Sequence, residues 1–352
     1  MSARFVPVGW NRSKVFYDVV LLAAVGLFLL LYRTMAERPG TTTVPTDEGS
    51  LAIKVYGACA FLLLTIALAI GPLTRIDRRF LPLLYNRRHL GIVTCAVAAA
   101  HGWAVIDWYF AFSPTDPWVA LFTSEPGSGT LAGLPFVLFG VIAFVILSAL
   151  AATSHDFWLA FLGAGIWKGL HMAIYLAYAL VVIHVALGPL QGAQRSGFVI
   201  LVLVSAVVLV VLHVWAAWRE RQADAAAPQI HIGGLFVVGR VADVPEGGAV
   251  IVRPPGSEAI AVFNDGGLLS AVSHVCAHQN GPIGEGRVVD GCVVCPWHGH
   301  QFRLTDGCAP PPYTDRIEVY RLERDGETLL LDQRPLPQGT VATPLQVMEG
   351  RP

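Results

Sequence analysis

Charged residues are scarce in this chain, and the scarcity excludes most classes of soluble protein. Only 14% of its 352 residues are charged, against 54% that are hydrophobic, and the mean hydropathy is +0.57. So little charge over this length is typical of membrane proteins. The formal net charge is −1, so the chain lacks the basic footprint of a nucleic-acid-binding protein, and we expect no nucleic-acid partner.

Cysteines and nucleotide-binding motifs are also sparse. There are six cysteines, and Cys59 and Cys95 lie in apolar segments, which does not fit a secreted disulfide framework. No G-x-G-x-x-G follows a strand and no P-loop is present, so the sequence predicts no flavin, nicotinamide or nucleotide domain of its own. The first apolar run lacks a small-residue cleavage site, which indicates a retained helix rather than a signal peptide.

What the chain has in abundance is apolar sequence in long runs. Each of six runs is long enough to cross a bilayer core. They are Val15–Tyr32, Leu51–Leu73, His89–Phe112, Leu131–Ala152, Trp167–Leu187 and Gly197–Trp218.

Lysine and arginine predict the orientation of these segments. Basic residues concentrate before the first segment, between the second and third, and after the sixth; they include Arg75, Arg78, Arg79, Arg87 and Arg88. The pattern predicts a multi-pass protein of the cell (inner) membrane with both termini in the cytoplasm.

Two cysteine–histidine pairs stand in the polar last third of the chain. The first is Cys276 and His278, spaced C-x-H, and the second is Cys295 and His298, spaced C-x-x-H. Together they supply the two thiolates and two imidazoles that a [2Fe–2S] cluster of the Rieske kind needs. A zinc site is the alternative, but zinc ligands are usually grouped as C-x-x-C and H-x-x-x-H, whereas each loop here carries one of each.

The stretches CAHQNGPIGEG and CPWHGHQFRLTDG resemble the two cluster loops of Rieske-type ferredoxins and ring-hydroxylating oxygenases. The resemblance implies that Cys276 and Cys295 bind one iron, and that His278 and His298 bind the other. Respiratory-complex Rieske proteins carry an extra disulfide across these loops. Gln279 and Trp297 occupy the corresponding positions here, so the resemblance is to the ferredoxin type, with a potential toward the low end of the Rieske range.

Short β-rich runs surround these loops, and Asn264-Asp265-Gly266-Gly267 and Asp325-Gly326 are hairpin signals. We expect an all-β barrel or sandwich with an inserted cluster-binding part. The predicted organisation is a membrane domain at 1–220, a linker at 221–229, a Rieske [2Fe–2S] domain at 230–334 and a Pro-rich, loosely ordered tail at 335–352.

Histidines inside apolar segments suggest a second kind of metal site, because a titratable ring in hydrocarbon is costly and usually functional. His101 lies in the third segment, and His171 and His184 lie in the fifth. The last two are 13 positions apart, a separation of about 20 Å along a helix, close to the separation of two haems stacked across a membrane. For any one of these histidines, a hydrogen bond to a neighbouring helix is the alternative.

The third and fifth segments resemble those of the ferric reductase-like transmembrane domain. The matching stretches are RRHLGI with His101 downstream, and WKGLHMAIY with His184 downstream. They also resemble those of the bacterial haem-binding membrane subunits of methionine sulfoxide reductases. The resemblance implies a six-helix bundle that binds b-type haem, with His101 and His184 sharing the outer haem and His171 helping to bind an inner one. His89, with His213 and His155 as rivals, is the candidate partner of His171.

The combined pattern predicts an electron-transfer oxidoreductase component. Electrons would pass from a soluble donor, a flavin reductase or a ferredoxin, to the cluster, then to one or two haems and an unidentified acceptor at the outer face. Reverse flow and use of a membrane quinone stay open. Alternatives are a haem-free membrane anchor that tethers a Rieske ferredoxin for a soluble oxygenase, and a redox sensor. Oxygenase catalysis itself is disfavoured, because the chain has no room for a mononuclear iron domain.

Overall fold

A computed structural model describes most of the chain. The described residues are 12–36, 47–80, 83–84, 86–109, 115–119, 130–131, 134–162, 164–188, 196–226, 230–278, 281–296, 299–311 and 313–347. The chain divides into two compact units. The helical unit comprises the described residues within 10–158 and 165–217, and the β unit comprises those within 218–352 together with 159–164.

The helices follow the apolar segments closely. Their bounds are α1 Arg12–Ala36, α2 Glu48–Ile76, α3 Arg87–Ala104, α4 Phe136–Ala152, α5 Asp156–Leu162, α6 Ala164–His171, α7 Ala173–Leu187 and α8 Ser196–Ala226. A π-helical turn, Val105–Tyr109, continues α3. The fifth predicted segment is divided at Met172 into α6 and α7, and the residues predicted as a linker continue α8 as far as Ala226.

Within the described residues, five helical stretches are long and apolar enough to cross a membrane. They are Lys14–Ala36, Glu48–Ile76, Arg87–Trp108, Gly165–Leu187 and Val199–Gln222. The fourth predicted segment is shorter as a helix than expected. Its helix begins only at Phe136, after Pro135, and has 17 residues, or about 25 Å, against a bilayer core of about 30 Å. The bundle of six membrane-crossing helices therefore stays a prediction.

Packing in the helical unit centres on α2. Its Leu64 and Ile70 are almost fully buried, and α2 packs along α3 while α4 packs along α7. By contrast, large apolar side chains of α1 and α8 face outward, among them Val207, Val210 and Val214. Outward-facing apolar surface on this scale suits a lipid environment and not water.

The β unit is built from short strands. Before it, β1 Thr130–Leu131 and β2 Leu134–Pro135 form a small hairpin. The strands of the β unit are β3 His231–Ile232, β4 Leu235–Arg240, β5 Ala249–Val252, β6 Ile260–Asp265, β7 Leu268–Ser273, β8 Arg287–Val289, β9 Cys292–Val294, β10 Gln301–Arg303, β11 Val319–Tyr320, β12 Leu322–Asp325, β13 Thr328–Leu331 and β14 Leu345–Gln346.

These strands form three antiparallel sheets. The first has the order β11-β7-β6-β5, with β14 also paired to β7; the second is β12-β13-β4-β3; and the third is β10-β9-β8. Both predicted hairpins are confirmed, since Asp265 pairs with Leu268 and Asp325 pairs with Thr328. The prediction of a loosely ordered tail is wrong as far as Val347, because Leu345 pairs with Leu269 and so fixes the chain onto the first sheet.

The first sheet is buried on both faces, and β6 shows how. Side chains alternate between the two faces of a strand. Ile260 and Val262 join one hydrophobic core, which is shared with the second sheet. Ala261 and Phe263 join the other core, which also contains Cys276, Cys295 and Phe302. The cysteine loops therefore lie on a packed core and not on a loose surface.

We predict that Phe302→Ala destabilises the β unit by about 3–5 kcal/mol, because it removes a fully buried aromatic ring from the core under the cysteine loops. Leu268→Ala is the control, since Leu268 is 42% exposed and should change stability by less than about 0.5 kcal/mol. Scanning calorimetry of the full-length protein in detergent measures both. Equal shifts in the two variants would contradict this account of the core.

Candidate functional site

The first cysteine–histidine loop follows β7 and is closed by backbone hydrogen bonds. The Cys276 amide donates to the Gly281 carbonyl at 2.9 Å, and the Ile283 amide donates to the His274 carbonyl at 2.7 Å. Because these bonds tie both sides of the loop together, Cys276 is held in place by main chain and not by side-chain packing alone.

The second loop connects β9 to β10. The Cys295 amide donates to the His300 carbonyl at 2.8 Å, and the Gly299 amide donates to the Cys295 carbonyl at 3.0 Å. Gly299 has a φ of +71°, in the left-handed region that glycine adopts without a steric cost. The tight turn brings the chain back over Cys295.

A glycine allows the two loops to approach each other. A Cβ atom on Gly286 would stand 2.2 Å from the carbonyl oxygen of Val294, the residue before Cys295. No real side chain tolerates such a contact, so any residue larger than glycine would push the first loop away from the second.

This approach brings Cys276 and Cys295 together. The two cysteines are 1% and 2% exposed. A hydrogen bond between their thiols, followed by burial, raises the pKa of Cys276. Two adjacent buried thiols ionise only at a cost unless a cation stabilises both thiolates. The pair therefore fits the two sulfur ligands of one metal ion.

The histidine of the first loop lies beside this thiol pair in the chain. His278 is 6% exposed, and its backbone amide donates a hydrogen bond to the Cys276 thiol. His298, the predicted fourth ligand, lies outside the described residues. Within the described ranges, no three His, Cys, Asp or Glu side chains are already grouped as a metal site.

Sequence reasoning missed a second buried histidine in this part of the chain. His300 is 4% exposed, and its ring is stacked on that of His278, with centroids 5.2 Å apart and planes 7° from parallel. Its Nε2 lies 3.2 Å from Oδ2 of Asp315, and this contact is the main reason why the pKa of Asp315 is below its usual value. The sequence signal was a third imidazole two residues after His298, but nothing in the sequence pairs it with Asp315.

The membrane histidines share one hydrogen-bonding arrangement. Nδ1 lies 3.0 Å from the Ile53 carbonyl in His101, 3.0 Å from the Trp167 carbonyl in His171 and 2.9 Å from the Phe136 carbonyl in His184. A carbonyl only accepts, so each Nδ1 must carry the proton and each Nε2 presents a lone pair. Metal-bound histidines are oriented in this way.

His101 and His184 face each other across α3 and α7. Their ring centroids are 6.3 Å apart and their planes are nearly perpendicular. With metal–nitrogen bonds of about 2.0 Å, two imidazoles that bind one iron from opposite sides have centroids a little over 6 Å apart. The two rings are therefore spaced as a pair that would hold one metal ion between them.

Two glycines make room for these rings. A Cβ atom on Gly57 would stand 3.0 Å from Cε1 of His101, and one on Gly140 would stand 2.8 Å from Nδ1 of His184. Both histidines depend on a position without a side chain on a neighbouring helix.

His171 offers a second nitrogen of the same kind. Its Nε2 is buried and has no hydrogen-bond partner among the described residues, and its ring is stacked on Trp167 with a centroid separation of 3.8 Å. Nδ1 of His89 lies 2.6 Å from Oδ1 of Asp18, a carboxylate within the first apolar segment that sequence reasoning overlooked. A histidine whose Nδ1 contacts a carboxylate is also oriented for metal binding through Nε2.

The other two candidate partners of His171 are His213, whose ring nitrogens both contact protein groups, and His155, which is exposed. His213 contacts the Leu209 carbonyl through Nδ1 at 2.8 Å and the Tyr175 hydroxyl through Nε2 at 3.1 Å, so both of its nitrogens are engaged. His155 is exposed, and its Nδ1 accepts a hydrogen bond from the Phe157 amide. Neither fits the second haem position as well as His89.

Comparison with known proteins recognises both parts of the chain. Residues 56–182 match the family described as ferric reductase like transmembrane component, and residues 234–321 match the Rieske [2Fe-2S] domain. The 3-phenylpropionate/cinnamic acid dioxygenase ferredoxin subunits of Shigella boydii serotype 4 (strain Sb227) and Escherichia coli (strain K12) are 39% identical over 94 residues, which is 26% of this chain and 87% of each relative. The solved Sphingomonas yanoikuyae B1 ferredoxin is 27% identical and covers 28% of this chain and 99% of its own, with a TM-score of 0.27.

We predict that Gly286→Ala abolishes metal binding by the cysteine loops, because the added Cβ would displace Val294 and with it Cys295. Gly248→Ala is the control. Its added Cβ would stand 3.0 Å from the Pro245 ring, and both residues are far from the cysteine loops in the sequence. Iron and acid-labile sulfide per purified chain measure the effect. Full iron content in Gly286→Ala would contradict the proposed role of this glycine.

Proposed function

Since the chain belongs to the Rieske [2Fe–2S] family through residues 234–321 and carries a ferric reductase-like transmembrane component at 56–182, we propose that it conducts single electrons across a membrane. The cluster and membrane-bound haem b would be its redox centres. The observation that carries the proposal is the facing pair His101 and His184, whose ring separation and Nδ1 contacts fit axial ligands.

At the soluble end, we assign Cys276 and Cys295 to one iron, and His278 and His298 to the other. Burial and the contact between the two thiols support the cysteine assignment. When bound, a [2Fe–2S] cluster of this type supplies reversible one-electron chemistry. The chain contributes a closed pair of loops, and burial that keeps water away from the sulfur atoms.

In the membrane, we assign His101 and His184 to one haem, and His171 with His89 to a second. The Nδ1 contacts hold each ring in one orientation, and Gly57 and Gly140 leave space for two of the rings. Asp18 fixes His89 and supplies a negative charge beside it. A carboxylate at this position makes an imidazole a stronger electron donor to iron.

The proposed boundaries are a membrane domain at 1–220, a linker at 221–229 and a Rieske domain at 230–334. We place the protein in the inner membrane with both termini in the cytoplasm, on the basis of its arginine distribution. A soluble flavin reductase or ferredoxin would reduce the cluster, and an acceptor at the outer face would oxidise the outer haem.

A second candidate function is favoured by one observation. The 39% identical relatives are ferredoxin subunits of a dioxygenase, so the β unit could supply electrons to a soluble oxygenase while the helices serve only as an anchor. The two proposals differ in whether the helical unit binds haem.

We predict a low-spin b-type haem spectrum for the purified wild-type protein, and loss of at least one haem per chain in His101→Ala and in His184→Ala. Each substitution removes one axial nitrogen of the facing pair. His213→Ala is the control, since both of its ring nitrogens are engaged by protein groups, and it should keep its haem. Pyridine haemochrome assays and iron analysis measure the result. A colourless helical unit beside an intact cluster would leave the anchor function.

We also predict that Gly140→Ala weakens haem retention, because the new Cβ would stand 2.8 Å from Nδ1 of His184. Overpacking of this kind costs about 1–3 kcal/mol, so we expect haem to be lost about tenfold faster, or more, in a transfer assay to an apo-acceptor. Gly91→Ala on α3 is the matched control, since its Cβ would meet nothing within 4 Å. Equal haem loss rates in both variants would contradict the packing argument.

A further inference from the structure

His300 is a buried histidine beside the cysteine loops that is not one of the four proposed cluster ligands. Its ring lies parallel to that of His278, and it is 4% exposed. Burying a polar imidazole costs free energy, whereas burying leucine or phenylalanine at the same position would not. A buried imidazole beside a proposed metal ligand therefore suggests a functional role.

Three neighbours fix the position of His300. Asp315 lies 3.2 Å from its Nε2, the Tyr313 ring meets it edge-on at 4.9 Å, and the Phe302 ring lies 5.0 Å away. The segment that carries Asp315 is itself anchored, because the Ala309 amide donates to the Asp315 carbonyl at 2.9 Å and the Ile317 amide donates to the Gly307 carbonyl at 2.9 Å. The ring therefore has one orientation.

We propose that His300, held by Asp315, is a positioning residue for the cluster ligand His278, and that the Asp315 carboxylate biases the cluster toward its oxidised state. This inference rests on the ligand set proposed above. It adds two residues that do not bind iron but set the orientation of one ligand and the local charge.

The positional part follows from the stacking geometry. The His300 ring lies within 7° of parallel to His278, and contact between the two ring faces favours this orientation of His278 about its Cβ–Cγ bond. Ligand orientation is one of the ways in which surrounding residues tune a metal centre.

The charge part follows from Coulomb's law. An aspartate carboxyl group has an ordinary pKa of about 4, and Asp315 is partly exposed and lies 3.2 Å from Nε2 of His300, so it carries a negative charge at neutral pH. Reduction adds one negative charge to the cluster, and a neighbouring carboxylate disfavours that addition. Removing the carboxylate should therefore raise the reduced-to-oxidised ratio at a fixed ambient potential.

The experiment compares full-length wild type with His300→Ala, His300→Phe and Asp315→Asn. Asp332→Asn is the matched control, because the Asp332 and Asp315 side chains are 21% and 23% exposed and each pairs with a basic residue. Iron and sulfide content, redox titration, and electron paramagnetic resonance of the reduced cluster are the measurements.

We expect full cluster content and an increase of about threefold to tenfold in the reduced-to-oxidised ratio for Asp315→Asn, with no change for Asp332→Asn. His300→Phe keeps an aromatic ring against His278, so its ligand-nitrogen couplings should stay close to wild type. His300→Ala removes the ring and should alter those couplings.

Two results would overturn the inference: an Asp315→Asn ratio equal to that of Asp332→Asn, or identical nitrogen couplings in all three His300 forms. If His300→Ala is recovered without a cluster, the decision rests on Asp315→Asn, whose side chain keeps the volume of the original. Absence of the cluster from the wild type would be a failure of the proposed function and not of this inference alone.

Discussion

Both units bury nitrogen and sulfur atoms that could bind a metal ion, and burying such atoms without a partner costs free energy. Cys276 and Cys295 are buried against each other, and His171 has a buried Nε2 with no hydrogen-bond partner among the described residues. Such groups are costly in an apolar interior unless something binds them. A metal ion satisfies a thiolate or an imidazole lone pair directly, so the same physical requirement points to metal centres in a sheet-built unit and in a helical one.

Glycines make the space that these buried donor atoms need. Gly286 lets the two cysteine loops touch, and Gly57 and Gly140 leave space against His101 and His184. In each case a single methyl group would occupy the space of a donor or of the backbone that carries it. These glycines act by what they leave open and not by their conformational freedom.

Charged partners appear where ligands need orientation. Asp18 contacts His89, and Asp315 contacts His300, which stacks on His278. Asp18 contacts a proposed metal ligand directly, and Asp315 acts on one through His300. In these positions the carboxylates can set ring orientation and electron density without binding iron themselves. A chain whose proposed task is to pass single electrons needs this kind of control, because one-electron centres differ in function mainly through their potentials.

Features that depend on local sequence pattern could be predicted before the fold was known. Six apolar runs predicted six membrane-crossing segments, and five of them coincide with described helices that are long and apolar enough to cross a membrane. The spacing of Cys276 with His278, and of Cys295 with His298, identified the cluster domain, because ligands on one tight loop are close in sequence as well as in space. Turn residues marked the two hairpins for the same reason.

Contacts between residues that are distant in the sequence could not be predicted and were found only in the folded chain. Asp18 and His89 are separated by 71 positions and His101 and Ile53 by 48, and no local periodicity links such pairs. The strand at Leu345–Gln346 was not predicted, because it lies in a proline-rich tail and its pairing with β7 comes from tertiary packing and not from its own strand propensity. The contact between Asp315 and His300 could not be predicted either, because only folding brings these two side chains to contact distance.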